Sequence, residues 1–330
     1  MTGSCASLVD LAAIEAAQRR IAGHAVRTPL RRATISGLSP PVHLKLETPQ
    51  PTGSFKLRGA TNALLSLDMA ARVRGVVTAS TGNHGRALAH AANALGTRAT
   101  VCLSRLVPNN KIDAIKALRA EVRVVGNSQD DAQEEVARLV REAGLTQVHP
   151  FDDPAVIAGQ GTLGLEIVED LPDVALVLVP LSGGGLASGV AAAVKARRLS
   201  ARVLGVSMER GAAMQASLLA SRPVYVDELE TLADSLGGGI GLDNRFTFRM
   251  CQDLLDGVIL VTEEEIAAGI RHAYLVEGEV VEGAGAVGIA ALLAGKVVAE
   301  GPTAVVVSGG NIDEAVHRRI VEAAGRGNVA

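Results

Sequence analysis

Three loops rich in small residues, together with one lysine, have the residue types expected of an anion-binding site beside a nucleophile. The loops span residues 80–85, 182–186 and 308–311, and each follows a short apolar run that predicts a β-strand. Glycines let backbone N–H groups approach an anion, and a helix that starts at the loop adds its positive dipole end. Loops that follow parallel strands meet at one edge of a sheet, so we expect the three loops to converge on one sheet edge.

Lys56 is the candidate nucleophile. It follows Gly53, Ser54 and Phe55, and the glycine and serine predict the start of a helix. An amine near a helix N-terminus feels a positive potential, and partial burial also disfavours its charged form. Both effects lower the pKa of the amine and make it a better nucleophile or base. Taken alone, the segment fits equally a surface lysine whose ammonium group lies in water.

Two common nucleotide-binding patterns fit these loops less well. The Walker pattern is absent, because the Gly-Lys pair at residues 295–296 precedes valine and not serine or threonine. A nicotinamide-dependent oxidoreductase would use Gly183 and Gly185, with Glu209 after the next strand to bind a ribose. However, Gly189 is spaced too far along for the dinucleotide fingerprint, and this interpretation leaves the other two loops unexplained. It stays as the alternative from a different functional class.

Composition excludes several classes of protein. The 330 residues carry a formal net charge of −3 and only 2% aromatic residues, so the sequence predicts neither a nucleic-acid nor a membrane-surface partner. No apolar run approaches the roughly 20 residues of a membrane span. The three scattered cysteines, together with an N-terminus that lacks signal-peptide features, favour the cytoplasm. Since little sequence follows the last predicted strand, we expect no C-terminal regulatory domain.

Short β-branched runs alternate with alanine-rich helical stretches along nearly the whole chain. The predicted strands are residues 42–46, 75–79, 99–103, 122–125, 174–181, 203–206, 257–261 and 303–307. Helices are predicted from Asn83 to Leu95 and from Pro108 to about Ala120, and Thr262 begins another. Continuous apolar strands between helices predict an α/β fold whose parallel sheet is covered on both faces.

The order and spacing of the motifs resemble those of the fold-type II pyridoxal-phosphate enzymes. The matching motifs are Ser-Phe-Lys-x-Arg-Gly-Ala at 54–60, Ser-x-Gly-Asn-His-Gly at 80–85, the glycines of 183–185 and Ser-Gly-Gly at 308–310. Within that family the chain is similar to the threonine/serine dehydratase and serine racemase branch. Residues 207–211 and 233–244 are similar to the hydroxyectoine-utilisation dehydratases.

This resemblance implies two lobes of open, mainly parallel sheet with helices on both faces, as in the β subunit of tryptophan synthase. The small domain would span residues 50–148, and the large domain would combine residues 1–49 and 149–330. The cofactor would lie in the cleft between them. The resemblance also implies a homodimer.

The resemblance further implies pyridoxal 5′-phosphate as cofactor and assigns site residues. Lys56 would bind the cofactor aldehyde covalently and, once released, move the α-proton of the substrate. The residues that would bind the cofactor are Phe55, Lys56, Asn83, Gly183, Gly184, Gly185, Leu186 and Ser308. The residues that would hold the substrate are Ser80, Thr81, Gly82, Asn83 and His84.

Two positions qualify these implications. Thr81 has a hydroxyl that could act as an acid on the face of the cofactor opposite Lys56, which would permit racemisation. The divalent-cation site of the branch is matched by Glu209 and Ala213, but Gln215 stands where the family has aspartate, so one ligand charge is lost.

The predicted function is therefore a pyridoxal-phosphate-dependent dehydratase, an ammonia-lyase acting on a small β-hydroxy amino acid. The substrate would be similar to threonine or serine, or would be a hydroxy-diamino acid derived from hydroxyectoine, and the products would be a 2-oxo acid and ammonia. An amino-acid racemase with the same cofactor is the first alternative. A non-catalytic binding module on the same fold is another.

Overall fold

A computed structural model describes residues 8–35, 40–80, 82–107 and 109–323 of the chain. In these residues the strands are β1 Leu30–Arg32, β2 Val42–Leu46, β3 Val76–Ala79, β4 Ala99–Leu103, β5 Glu121–Val124, β6 Thr146–Gln147, β7 Leu176–Pro180, β8 Arg202–Met208, β9 Gly257–Val261 and β10 Thr303–Val307. The helices are α1 Leu11–Ile21, α2 Lys56–Ser66, α3 Met69–Arg74, α4 Asn83–Ala94, α5 Asn109–Ala117, α6 Gln129–Ala143, α7 Pro154–Asp170, α8 Gly185–Arg197, α9 Ala213–Leu219, α10 Thr247–Leu254, α11 Glu263–Leu275, α12 Gly283–Leu293 and α13 Glu314–Glu322.

The strands form two sheets. The larger has the order β1-β2-β10-β7-β8-β9, and the smaller has the order β5-β4-β3-β6. All the strand pairs are parallel except β1 with β2. The predicted α/β fold with mainly parallel sheets is therefore confirmed.

Side chains of the central strands alternate between two cores, which explains why these strands are apolar throughout. Val305 and Val307 of β10 pack with α11 and α12, whereas Ala304 and Val306 pack with α7 and α8. The smaller sheet is likewise covered by α2 and α4 on one face and by α6 on the other. Burial on both faces needs apolar residues at every position, not at every second one. No helix in the described ranges is long and apolar enough to cross a membrane.

Each sheet has a point where the strand order reverses. In the larger sheet this switch point lies between β7 and β10, and in the smaller sheet it lies between β3 and β6. Ligands of open α/β sheets bind beyond the carboxyl ends of strands at such points. The predicted loops at residues 182–186 and 308–311 follow β7 and β10, and the loop at 80–85 follows β3.

The structure corrects several sequence predictions. The three loops do not share one sheet, because the loop at 80–85 belongs to the smaller sheet and the other two belong to the larger. The strands β1 and β6 were not predicted, since two or three residues are too short to give a periodic signal. Helix α2 begins at Lys56 with Phe55 as its N-cap residue, and so starts after Gly53 and Ser54. Pro108, the predicted start of α5, lies outside the described residues.

The division into domains at residues 50 and 148 stays a prediction. The strands of the smaller sheet all lie between Val76 and Gln147, which agrees with it. Helix α2 also falls within that range, yet it packs against α7 as well as α4. The helix that begins with Lys56 therefore bridges the two sheets.

Candidate active site

Lys56 is held by contacts with two segments that are distant in sequence, the end of β10 and the residues after β6. Just before it, the Phe55 backbone N–H donates to the Ser308 carbonyl at 3.0 Å, and Ser54 forms an antiparallel bridge with Gly309. The Lys56 Nζ atom donates to the carbonyl oxygen of Pro150 at 2.7 Å. The amine therefore lies where the end of β10 meets the segment that follows β6.

The surroundings of Lys56 favour its neutral form. Burial lowers the pKa of its amine to about 8, and the negative charge of Glu282 opposes this shift without cancelling it. The Phe55 ring, with its centroid 5.3 Å from Nζ, packs beside the amine. At this pKa roughly a tenth of the Lys56 amine is unprotonated at pH 7, far more than for an ordinary lysine, and the neutral form is the one that a nucleophile or base requires. The depressed pKa agrees with the sequence-based expectation.

The loop after β3 is ordered by the Ser80 side chain. Its Oγ accepts hydrogen bonds from the backbone N–H groups of Gly82 at 3.5 Å and Gly85 at 3.1 Å. Gly82, the N-cap residue of α4, has no side chain, and Ser80 Oγ takes the N–H of Gly85, the third residue of the helix, which among the described residues leaves the N–H groups of Asn83 and His84 without a side-chain cap. The first turn of α4 therefore offers N–H groups and a positive dipole end to an anion such as a carboxylate. Thr81 lies outside the described residues.

His84 lies buried beneath this loop as a neutral ring. Its Nε2 atom is 3.0 Å from the carbonyl oxygen of Val148, so Nε2 carries the hydrogen and donates it. Burial, followed by the nearby charge of Lys56, lowers the pKa of His84 to about 3. His84 therefore links the loop after β3 to the segment after β6, and it provides no positive charge at neutral pH.

The loop after β7 presents backbone alone. Gly184 is the N-cap residue of α8 with a φ of +90°, and no described side chain caps this helix. A Cβ at Gly184 would lie 2.8–3.0 Å from Met214, Cys251 and Thr247, and a Cβ at Gly183 would lie 2.5 Å from the Phe151 ring. The loop is thus packed closely from behind, while the N-terminal turn of α8 keeps its N–H groups for a ligand.

Ser308 follows β10 and is 2% exposed. Its carbonyl accepts from Phe55, and Asn311, three residues later, donates from Nδ2 to Asn83 Oδ1 at 2.6 Å. The loop after β10 therefore contacts both the lysine segment and the loop after β3. The loop after β7 reaches the same place, because Gly183 packs against Phe151 and the preceding residue, Pro150, accepts the hydrogen bond from Lys56. The structure therefore brings the three loops and Lys56 together.

Glu282 is a site residue that the sequence analysis missed. It is 4% exposed and precedes α12, and its Oε1 accepts from Asn83 Nδ2 at 2.7 Å. Its Oε2 accepts from the Ser235 hydroxyl at 3.4 Å. The signal available in the sequence was a glutamate directly before a helix of small and apolar residues.

Asn83 is consequently oriented by both of its amide atoms. Its Oδ1 accepts from Asn311, and one N–H of its Nδ2 donates to Glu282. A side-chain amide has two N–H donors, so the second one remains to donate to a ligand oxygen. This fits the predicted role of Asn83 in binding the cofactor.

The residues at the predicted cation site do not form a recognisable metal centre. Glu209 Oε1 lies 3.5 Å from Lys296 Nζ, which also donates to the Leu260 carbonyl and pairs with Glu265. Ala213 is buried in α9 beside Gln215. Within the described ranges no group of three histidine, cysteine or acidic residues is placed to hold a metal ion. The positive charge beside Glu209 is supplied by a lysine.

Comparison with known proteins identifies the family. A family model described as pyridoxal-phosphate-dependent enzyme matches residues 21–309. A putative threonine dehydratase of Sinorhizobium fredii is 62% identical over 96% of each chain, and an L-threonine ammonia-lyase of Thermotoga maritima is 42% identical over 95% of this chain and 78% of the relative. The solved structure of maize serine racemase superimposes with a TM-score of 0.88 at 32% identity, covering 96% of this chain and 98% of the other.

Proposed function

The chain belongs to the family of pyridoxal-phosphate-dependent enzymes, and on that premise we propose that it converts a small β-hydroxy amino acid to a 2-oxo acid and ammonia. It is a pyridoxal-phosphate-dependent lyase similar to threonine dehydratase. Threonine and serine are the first candidate substrates. The observation that supports the proposal best is the buried Lys56 amine, whose pKa of about 8 suits a base that works near neutral pH.

The residues present fit the cofactor on chemical grounds. Helix α8 begins with Gly184 and Gly185, and its first turn has no described side-chain cap, so it can take up a phosphate dianion without a charged side chain. Lys56 provides the amine that an aldehyde needs. When bound, pyridoxal phosphate supplies an electron sink for the negative charge that forms at the substrate α-carbon.

We assign the following tasks to the residues of this chain. Lys56 Nζ attaches the cofactor and afterwards takes the α-proton. Asn83 donates its second amide N–H to the phenolic oxygen, while the first turn of α4 holds the substrate carboxylate. Ser308 supplies a neutral hydroxyl at the pyridine nitrogen. A neutral partner stabilises positive charge there less than a carboxylate would, which favours rapid loss of a β-hydroxyl over a long-lived carbanion.

Elimination accounts for more of the observations than racemisation does. The relatives of 62% and 42% identity are named as a putative threonine dehydratase and an L-threonine ammonia-lyase, whereas maize serine racemase is 32% identical. Racemisation needs a second acid opposite Lys56, and the candidate for that role, Thr81, lies outside the described residues. Because the chain belongs to the pyridoxal-phosphate family, we reject the alternative that it is a nicotinamide-dependent oxidoreductase.

The test is a panel of amino acids scored for ammonia, 2-oxo acid and inversion at the α-carbon. The panel contains threonine, serine and 3-hydroxylated diaminobutyrate, the last because residues 207–211 and 233–244 resemble the hydroxyectoine-utilisation dehydratases. We expect ammonia and 2-oxo acid in equal amounts from at least one member. Inversion without 2-oxo acid would contradict elimination and establish the racemase.

Two further properties belong to the same proposal. We propose a homodimer, which the family resemblance supports, and a cytoplasmic location, which the reduced cysteines Cys102 and Cys251 support. Light scattering of the purified protein tests the first, and a fusion to a fluorescent protein in the source cell tests the second.

A further inference from the structure

Four charged side chains from three parts of the fold lie buried together, and none of the roles above uses them. They are Lys45 in β2, Glu47 directly after β2, Arg58 in α2 and Glu166 in α7, and each is at most 4% exposed. We call these four residues the buried charge cluster. Two cations face two carboxylates, so the cluster is balanced in formal charge.

Arg58 is the centre of the buried charge cluster. Its Nε and Nη2 atoms donate to the two oxygens of Glu47 at 2.8 and 2.7 Å. Its Nη1 and Nη2 atoms donate to the two oxygens of Glu166 at 2.6 and 2.9 Å. Both contacts are bidentate, and these charged partners keep the pKa of Arg58 above its ordinary value despite burial. A planar guanidinium held by two carboxylates can adopt only one orientation.

Lys45 and Thr28 complete the cluster. Lys45 Nζ donates to Glu166 at 2.6 Å and to the Thr28 carbonyl at 2.6 Å, and the Thr28 hydroxyl donates to Glu47 at 2.5 Å. Burial acts to raise the pKa of Glu166, but Arg58 and Lys45 together hold it below its usual value. All four charged groups are therefore paired within the cluster, although burial lowers the pKa of Lys45.

Such a cluster contributes geometry more than stability. Removing charges from water costs free energy that their mutual attraction only roughly repays, and replacing a buried ion pair with uncharged residues is often neutral. Bidentate contacts nevertheless fix the relative orientation of the elements that carry them. In this chain those elements are the end of β2, the first turn of α2 and the middle of α7.

The cluster lies next to Lys56 in both sequence and space. Arg58 follows Lys56 by two residues in the first turn of α2. The next residue, Gly59, is so close to α7 that a Cβ there would lie 2.4 Å from Gln160, and a Cβ at Gly159 would lie 2.6 Å from the Arg58 carbonyl. The Gly59 N–H also donates to Gln160 at 3.2 Å. Helices α2 and α7 thus meet backbone to backbone at the cluster.

The Pro150 carbonyl, which accepts from the Lys56 amine, is held in place by α7, and the segment on the other side of the amine is held by the end of β2. Pro150 lies four residues before α7, and Asp153 caps α7 by accepting from the N–H groups of Ala155 and Val156. On the other side, the Glu47 N–H donates to the Val307 carbonyl at 2.9 Å, one residue before Ser308. The cluster therefore connects α2 to the two segments that flank the amine.

We infer that the buried charge cluster is a positioning device for Lys56, in which Arg58 holds α2 so that the Lys56 amine stays against Pro150 and away from water. The inference rests on the proposed function, since it takes Lys56 as the lysine that binds the cofactor. If the buried charge cluster is removed, we expect the chain to remain folded. The Lys56 amine should then be more hydrated and more often protonated.

The test removes one positive and one negative charge together. In the double variant Arg58→Met/Glu47→Gln, Lys45 still pairs with Glu166, and the glutamine still accepts from Thr28. Cofactor-free enzyme is mixed with pyridoxal phosphate across a pH series and reduced with borohydride, and the adduct at Lys56 is quantified by peptide mass spectrometry. The matched control, Lys195→Met/Asp256→Asn, removes a balanced pair joined at 2.7 Å near the other end of α8.

In the parent enzyme we expect the rate of adduct formation at Lys56 to rise with a midpoint near pH 8. In the double variant the midpoint should move up by at least one pH unit, which lowers the rate at pH 7.5 about eightfold, since less amine is neutral. The single variant Arg58→Lys keeps the charge without the bidentate contacts and should shift the midpoint less. The control should match the parent.

Two results would overturn the inference. One is an unchanged midpoint in a double variant that still forms the adduct at Lys56. The other is loss of cooperative thermal unfolding in the double variant with an unchanged midpoint in Arg58→Lys, which would make the cluster a stability element. If the parent enzyme itself forms no adduct at Lys56, the proposed function of Lys56 is wrong. That result differs from the two above, which contradict only the positioning role of the buried charge cluster.

Discussion

The two sides of the candidate site are built in opposite ways. On the side that we propose for the phosphate, called the phosphate side below, Gly183 to Leu186 provide only backbone N–H groups and a helix dipole, with neutral side chains packed behind them. On the lysine side, the amine depends on ionised side chains contributed by β2, α2, α7 and the residue before α12. Backbone binding is local in sequence, whereas charge-based positioning draws on residues more than a hundred positions apart. The two sides should therefore respond differently to substitution.

The largest effect is expected from Lys56→Ala, which removes the chemical group itself. Formation of 2-oxo acid should fall by more than about 10⁴-fold, because both the covalent attachment and the base are lost. The reducible adduct should disappear as well. Lys116→Ala, which removes an exposed lysine in α5, is the control and should behave as the parent. Residual adduct elsewhere that supports turnover would contradict the assignment.

Gly184→Ala tests the phosphate side. An alanine must adopt a φ near +90°, and its Cβ would lie 2.8–3.0 Å from three neighbouring side chains. Relieving these close contacts must move the loop and its N–H groups away from the proposed phosphate position, at a cost of about 1–3 kcal/mol, so cofactor binding should weaken roughly 10- to 100-fold. Equilibrium dialysis measures the cofactor affinity. Gly96→Ala, with a φ of +64° and open space around its Cβ, shares the backbone strain and should keep the parent affinity.

His84 makes the lysine side sensitive to acid. Its pKa is about 3 in the folded chain and about 6.5 when unfolded, so below pH 6.5 only the unfolded chain takes up the proton. The free energy of unfolding should therefore fall by about 2 kcal/mol from pH 7 to pH 5 through this group alone. Urea unfolding of His84→Gln should lack this component. The exposed His24→Gln should retain it, and equal slopes in both variants would reject the assignment.

A smaller effect is expected from Glu282→Gln. The glutamine can still accept from Asn83, but the negative charge that raises the pKa of Lys56 is removed. The pH midpoint for adduct formation should move down by about half a unit to one unit. Glu314→Gln, at an exposed position in α13, is the matched control. An upward movement would show that Glu282 acts on Lys56 in some other way.

No effect is expected from removal of divalent cations. Lys296 already provides positive charge beside Glu209, and Gln215 lacks the charge of a metal-binding carboxylate. Ammonia release after dialysis against a chelator should equal that of untreated enzyme. A loss of activity that magnesium restores would establish the cation site implied by the family resemblance.

The fold could be predicted from the sequence, and the loops around Lys56 could be located in it, because both leave local patterns. Continuous apolar strands such as β10 identify a sheet covered on both faces, and a strand followed by three glycines identifies a loop that approaches an anion. Strand bounds were recovered to within about two residues at each end. The short β1 and β6 left no such pattern, although β6 creates the switch point that brings Val148 and Pro150 to the site.

The lysine side was harder to predict because its contacts join distant parts of the chain. Lys56 alone fits a surface lysine equally well, and only burial distinguishes the two cases. Glu282 lies 199 residues from the Asn83 side chain that it orients, and no spacing rule connects them. Arg58, Glu47 and Glu166 are ordinary charged residues in sequence, and their pairing becomes visible only when α2, β2 and α7 are in place.

The backbone contact between Gly59 and Gly159 has a consequence for motion. The two helices approach closely there, and hydrogen bonds from Arg58 to Glu166 and from Gly59 to Gln160 fasten them, so we expect α2 and α7 to move together. If the cleft widens to admit substrate, the hinges then have to lie where α2 ends, at Leu67 and Asp68, and in the stretch between β6 and α7. The amine would then stay with the stationary half of the molecule, and the loop after β3, which we propose to hold the substrate carboxylate, would be the part that moves.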